Sequence, residues 1–303
     1  MKSSNNQKWT DEVTACILQY NPNAEIIDKQ SFPELIGKVV YVGNKNIVYH
    51  LLPIPFNEIQ DISPTYFQER SLEYIARGVQ LVHLWQDCWV AKPEIVRSRI
   101  AALSGAGIRI HARRTNVWRI TKDDTFGFFA ANHLQGAVNA RYNYGLYHEK
   151  QIVAEASFSA GRTVVRNGIT HRSFELLRFA NLLHHVVAGG LGKMIARFVK
   201  DINPGDIMTY ADLDWASGKG YRELNFEQTA VTPPQALWVH PADMIRYYPH
   251  RLPLQLTEAF KSQNRFGNIN DFLTNKGYIK IYNAGNLKYL KNVPKEQNVD
   301  NPE

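Results

Sequence analysis

Cysteine is nearly missing: Cys16 and Cys88 are the only two in 303 residues. That excludes a disulfide framework and a thiolate-rich zinc site, and leaves two small side chains suited to burial. Histidines in HxH or HExxH spacing are absent as well, so no metal is expected. No run of about 18 apolar residues is available to span a membrane, and MKSSNNQK lacks the charged-then-apolar order of a secretory leader. The sequence therefore predicts a cytoplasmic protein without a membrane partner. Acid is missing from residues 97–119, RSRIAALSGAGIRIHARRTNVWR, which carry Arg97, Arg99, Arg109, Arg113, Arg114 and Arg119 with His111 and a single aromatic, Trp118. Such a stripe suits phosphate contact, or forms a solvated basic face.

What is present describes a globular chain, 44% hydrophobic and 21% charged, long enough for two domains. The net charge of +7 and pI near 9.2 are compatible with a polyanionic partner, with DNA favoured over RNA. The ends, MKSSNNQK and NVPKEQNVDNPE, read as polar, frayed termini.

Periodicity supplies the elements. GKVVYVGNKNIVYHLLPIP reads as a hairpin about GNKN, and TYFQERSLEYIARG as a helix closed by Gly78. VQLVHLWQDCWV reads as a strand, and KPEIVRSRIAALSG as a helix with Pro93 in its first turn. Further on come a helix (DDTFGFFAANH), a hairpin through HEKQ, and a strand (FELLRFANLL). HHVVAGGLGKMIARFVKD then runs from an apolar strand through three glycines into an amphipathic helix. DIMTYADLDW follows as a strand, GKGYRELNF as a short helix and QALWVHP as a last strand. Amides at a helix N-terminus attract phosphate, and glycine permits close approach, although the same glycines also serve a tight strand-to-helix connection.

This order resembles the GNAT acyl-CoA N-acyltransferase fold. The family's pyrophosphate turn, Gln/Arg-x-x-Gly-x-Gly/Ala, is matched by Val187, Ala188, Gly189, Gly190, Leu191 and Gly192, with Val187 departing from the leading Gln or Arg. The resemblance implies acyl-CoA, acetyl-CoA for instance, held by the amides of Gly189 to Gly192 with Lys193 adding charge. KGYRELNFEQT resembles the family ending LYEKLGFE, which implies that Tyr221 protonates the departing thiolate, the alternative being that it packs helix on sheet; Asn225 replaces a glycine there. Glu175 is placed like the family's general base, or pairs with Arg178. Asp212, at the C-terminal end of a strand, is preferred over Asp214, which is suited to capping. His133 and Gln135 of NHLQG are candidates to line the acceptor pocket.

GVQLVHLWQDCWVAKPEIVRSRI, NHLQG, YNYGLY, SFELLRFANLL, VVAGGLGKMIARFV, MTYADLDWASGKGYRELNF and GYIKIYNAGNLKYL together resemble a phage and mobile-element family. That family joins a Vsr-like, PD-(D/E)XK-type homing endonuclease domain to a GNAT-like domain. The expected fold class is α/β: a small Vsr-like α/β domain over 1–108, then a GNAT-like mixed-sheet α+β domain over 109–241, and an extension over 242–303. The two family strands that carry catalytic acids contain none here. Tyr49 or His50 stands where the family has Glu, and QDCW, residues Gln86 to Trp89, retains only Asp87. A nuclease needs carboxylates converging on a divalent ion, so this half is expected not to cut DNA.

Two alternatives stand beside the acyltransferase reading. One is a non-catalytic nucleic-acid-binding protein. The other is a homing-type endonuclease with displaced acids, for which Glu58, Asp61 and Asp87 are the carboxylates to examine. The terminal FGNINDFLTNKGYIKIYNAGNLKYL reads as a strand pair without an assigned task.

Overall fold

The computed structural model describes residues 2–27, 32–55, 62–166, 168–263 and 266–294. The fold is α/β, with mixed sheets and helices in two compact units. Each unit is discontinuous: the first takes Met1–Ile100, Asp212–Ser217 and Val231–Asn286, the second Ala101–Ala211, Gly218–Ala230 and Leu287–Glu303. These differ from the linear segments 1–108, 109–241 and 242–303, because the chain returns twice to the first unit.

The start of the chain is helical rather than frayed. In α1 (Lys2–Tyr20), Trp9, Val13, Cys16 and Ile17 fall at helical spacing and are all buried. Strands β1 (Glu25–Ile27), β2 (Lys38–Val42) and β3 (Ile47–Leu52) form an antiparallel meander. The β2–β3 hairpin turns through Gly43–Lys45 and a left-handed Asn46. Helix α2 (Tyr66–Ala76) buries Phe67, Ser71 and Tyr74 and stops before Gly78, whose φ of 73° suits a C-terminal glycine. It leads to β4 (Gln80–Trp85), parallel to β3, so the sheet order is β1-β2-β3-β4.

The strand expected to run through QDCWV ends at Trp85, and Gln86–Ala91 coils into α3. A short apolar run fits either state. Here the side chain of Gln86 accepts the Ile54 amide at 2.6 Å and Asp87 meets a distant arginine, so tertiary partners decide. Helix α4 (Pro93–Ser104) follows, with Pro93 at its first position.

In the second unit, β5 (Ile108–His111) precedes β6 (Asn116–Arg119), α5 (Lys122–Asn132) and the hairpin β7 (Tyr142–His148) to β8 (Gln151–Phe158). The hairpin turns on Glu149 and Lys150, both at positive φ, as a two-residue primed turn requires. Strands β9 (Arg162–Arg166), β10 (Ile169–Asn181) and β11 (His185–Ala188) lead to α6 (Gly190–Ile202), β12 (Asp206–Asp212), α7 (Lys219–Glu223) and β13 (Glu227–Thr232). The core under α6 is aromatic: the Phe198 ring stacks on Phe158 at 4.0 Å and meets Tyr142, Tyr144 and Phe174 edge-on.

The returning chain adds β14 (Ala236–His240), β15 (Ile245–Tyr247), α8 (Leu254–Lys261), α9 (Ile269–Asn275) and β16 (Ile279–Tyr282), then β17 (Asn286–Asn292). The expected terminal strand pair does not form. β16 joins β14 in a small sheet ordered β15-β14-β16, whereas β17 enters the eight-stranded sheet ordered β13-β17-β12-β10-β8-β7-β6, with β9 on β10. Nor is QALWVHP the last strand, since three follow it.

Candidate functional site

The second unit opens its sheet at one place. β10 and β12 run parallel but pair at only three rungs, Ser173↔Asp206, Phe174↔Ile207 and Glu175↔Met208. Beyond them β10 continues to Asn181, paired only with β8, while β12 runs on to Asp212. The closed end is pinned by the fully buried Asp206, which takes Arg166 at 2.9 Å, His171 at 2.6 Å and the Ser173 hydroxyl. Sequence reasoning missed this anchor, because its members are scattered over forty residues without a motif. Past the Thr209 hydroxyl, which donates across to the Leu176 carbonyl at 3.0 Å, the diverging strand edges expose backbone groups to anything that lies between them.

The glycine turn joins β11 to α6. β11 leaves the main sheet to pair with β5, and Gly189 then adopts φ of 77°, a left-handed conformation that glycine enters without cost. A side chain on Gly190 would come within 3.0 Å of Leu146 and Val187, so packing also demands its bareness. The first helical hydrogen bond runs from the Lys193 amide to the Gly189 carbonyl at 3.0 Å. The amides of Gly190, Leu191 and Gly192 thus precede the ladder, where helix ends carry positive partial charge. Lys193 is engaged elsewhere: its ammonium donates to the carbonyls of Ala112, at 2.8 Å, and Thr115.

Glu175 occupies the last paired rung, at the mouth of the opening. Burial raises its carboxyl above the ordinary range, with Arg162, Arg178 and Lys288 opposing. Tyr210, further along β12, is itself raised by burial and then by the charge of Glu175. Tyr221 on α7 packs its ring 5.5 Å from Tyr289 and 5.6 Å from Phe226. Immediately after the helix, Leu224 lies 2.9 Å from where a side chain on Gly192 would stand. His133 accepts the Gln135 amide at 3.1 Å, and the Gly136 carbonyl accepts Arg178 of β10 at 3.3 Å, so this turn is tied to the strand that carries Glu175.

Asp212 belongs to the other unit. Its carboxylate accepts the Asp214 amide at 3.0 Å, and burial raises its pKa against Arg99 and Arg246. The arginine stripe also divides. Arg97 lies over Trp89 and Arg99 over Trp215, each at 4.5 Å, in the first unit. Arg109, Arg113, Arg114 and Arg119 are exposed in the second.

In the first unit both oxygens of Asp87 are taken by the Arg246 guanidinium, at 2.7 and 2.9 Å. His50 on β3 and His83 on β4 face each other at 3.0 Å, fully buried. His50 donates to the Ile36 carbonyl, and the Ser71 hydroxyl lies 3.0 Å from His83. Tyr49 is buried as well. Glu58 and Asp61 lie outside the described residues. Among the described residues no cluster of His, Cys, Asp or Glu could hold a metal, and no helix is long and apolar enough to cross a membrane.

Burial pushes His50 down to about 4 and His83 well below its ordinary value. The folded chain then binds fewer protons than the unfolded chain between about pH 4 and 6.5, so stability falls as pH drops through that window. The expected loss is about 1.4 kcal/mol per pH unit for each histidine. Thermal melting from pH 7 to 4 checks it, and a melting temperature unchanged to pH 5 would contradict it.

No protein-family profile matches the sequence, and no curated protein does. Among solved structures, the chain is similar to a probable N-acyltransferase of unknown function from Enterococcus faecalis, at 15% identity and TM-score 0.33, over 43% of this chain and 36% of that one. It is similar to a GNAT family acetyltransferase from Elizabethkingia anophelis with acetyl-CoA bound, at 9% identity and TM-score 0.33, over 59% and 99%. It is also similar to a Bacillus subtilis acetyltransferase in complex with CoA, at 10% identity and TM-score 0.31, over 60% and 99%. The chain thus spans about a third of the first of these.

Proposed function

We propose that this chain is a GNAT-like, acyl-CoA-dependent N-acyltransferase acting on or near nucleic acid, with a nuclease-like first unit that does not cut DNA. The observation that carries the reading is the opening between β10 and β12, together with the helix-start amides that follow β11. The strand order from β6 through β10 to β12, β17 and β13 agrees with it.

The residues fit the cofactor: Gly190, Leu191 and Gly192 present amides ahead of the helical ladder, and Gly189 turns the chain into that helix start. Acyl-CoA, when bound, supplies an activated acyl thioester. Glu175, with its raised pKa, would take the proton from the acceptor nitrogen, and Tyr221 would give one to the leaving sulfur. His133 and Gln135, joined to β10 through Gly136, would line the acceptor side. Lys193 is assigned to holding the basic segment rather than to the pyrophosphate.

The first unit's order α1-β1-β2-β3-α2-β4, with β3 and β4 parallel, supports the Vsr-like reading. Its β3 offers Tyr49 or His50 where a nuclease needs a carboxylate, and both oxygens of Asp87 are engaged by Arg246. Duplex DNA should stay intact with magnesium.

Calorimetric titration tests the main reading. Acetyl-CoA should bind the full chain, and Gly190→Val, which displaces the turn, should weaken binding at least about tenfold, since lost amide contacts to an anion cost about 1.5 kcal/mol or more. A melting curve should show the variant folded. Salt-sensitive DNA binding without any response to acetyl-CoA would favour the non-catalytic alternative, which the engagement of Lys193 supports.

A further inference from the structure

The cations of α6 do something that phosphate binding by the glycine turn does not use. Lys193 donates to the Ala112 and Thr115 carbonyls, and Arg197 reaches the Val117 carbonyl at 3.5 Å while pairing with Asp201 at 2.8 Å. The Thr115 hydroxyl closes the same turn on the Ala112 carbonyl at 2.7 Å. Two positive side chains are thereby spent on fixing the backbone of residues 112–117 along the helix. Their neighbours are left pointing outward: Arg113 and Arg114 in the turn, then Trp118 and Arg119 on β6.

β6 is an edge strand of the eight-stranded sheet, and Trp118 on it is 58% exposed, an unusual position for so large an apolar side chain. Arg119 beside it lies 5.1 Å over the Tyr142 ring. Between β6 and α6 runs a groove of about 440 Å³ whose walls include Asn116, Trp118, Ala196, Arg197 and Lys200. No carboxylate is among its lining residues. The volume falls in the ~300–1,000 Å³ range of small-ligand clefts, room for a nucleotide rather than for a duplex.

We infer that this groove is a docking track for single-stranded nucleic acid, in which an unpaired base stacks on the Trp118 indole while Lys200 in the groove and the exposed Arg113 and Arg114 of the turn before β6 neutralise the adjoining phosphates. The inference rests on the reading that the second unit acts on or near nucleic acid, and names the form of that partner. A duplex keeps its base faces inside its own stack; only an unpaired base offers one to a protein ring. An exposed indole on one wall of a groove and cations along the other, here Lys193, Arg197 and Lys200 of α6, is an arrangement that binds a single strand without reading its sequence. Lys193 and Arg197 line the groove and also position it, through the turn they hold.

Fluorescence anisotropy of the full chain with a labelled 15-nucleotide oligo(dT), and with a duplex of equal length, at 50 and 200 mM salt, tests this. Trp118→Ala should weaken single-strand binding roughly five- to hundredfold and leave its salt dependence unchanged. Arg113→Gln with Arg114→Gln should reduce the slope of log K against log salt by about 1.4, as expected for two lost phosphate contacts on a single strand. Lys193→Met, which removes a groove-lining charge together with a hold on the turn, should weaken binding and also lower the salt slope. Duplex bound more tightly than the single strand, or no effect of Trp118→Ala, would overturn the inference. If oligo(dT) is not bound at all while acetyl-CoA still is, the groove assignment falls and the acyltransferase reading stands; if oligo(dT) is bound with the stated variant effects and acetyl-CoA is not, the reverse holds.

Discussion

Replacing Arg246 with methionine is expected to destabilise the first unit by about 3–5 kcal/mol, the loss typical of breaking a buried ion pair on one side only. The guanidinium holds both oxygens of Asp87, which is 2% exposed, so its removal strands a carboxylate in the interior. The surroundings offer Asp87 no replacement. Asp212 and Asp214 are close, and burial together with the charge of Asp212 pushes Asp214 up to about 8. Burial also pushes the Cys88 thiol up to about 12, with Arg246 opposing. One cation thus serves several acids. Urea denaturation measures the loss. Combining Arg246→Met with Asp87→Leu should recover most of it, because a matched apolar pair leaves no buried charge. A single variant within about 1 kcal/mol of the parent, or a double variant no better than the summed singles, would contradict this account. The same geometry makes Asp87 a poor metal ligand: each of its oxygens already faces a buried guanidinium, whose charge repels a second cation.

Glu155→Gln is expected to stabilise the second unit, and increasingly so as pH rises. Glu155 sits on β8 between Gly145 of β7 and Ala180 of β10, fully buried, and neither carboxyl oxygen has a hydrogen-bond partner among the described residues. Burial first, and Asp124 second, push its pKa up to about 8. The folded chain therefore keeps a proton that the unfolded chain has released above about pH 4.5. Stability contributed by the neutral acid is complete below that value and is lost as pH rises to about 8, at about 1.4 kcal/mol per unit. Glutamine keeps the shape and cannot ionise. Denaturation at pH 5, 7 and 8.5 should show a gap in favour of the variant that widens by several kcal/mol. A gap independent of pH would refute the assignment.

Local features carried well from sequence to fold. The GNKN and HEKQ hairpins, the Gly78 stop, Pro93 and the strand-glycine-helix order are fixed by backbone chemistry within a few residues. The misreadings share a different cause. Whether Gln86–Ala91 extends or coils depends on Ile54 and Arg246, and the latter is 159 residues from Asp87. That Ile279–Tyr282 and Asn286–Asn292 enter different sheets depends on which edges are left open by strands made much earlier. Lys193 looked like a phosphate ligand because helix-start lysines suit anions; two carbonyls from residues 112 and 115 claimed it. The strand under Glu175 and the short helix under Tyr221 were legible, whereas Glu155 carried no motif and was visible only as a charge in an apolar strand.

The position of β17 has a consequence for how this chain is made. A sheet ordered β13-β17-β12 cannot close while residues 286–292 remain unsynthesised, since the seat between its neighbours is empty until then. At bacterial-type synthesis rates of about 5–20 residues per second, β12 and β13 wait several seconds beside an unfilled gap. The nascent protein therefore presents two unpaired strand edges to chaperones or to other chains, and co-translational rescue, more than final stability, should set the yield.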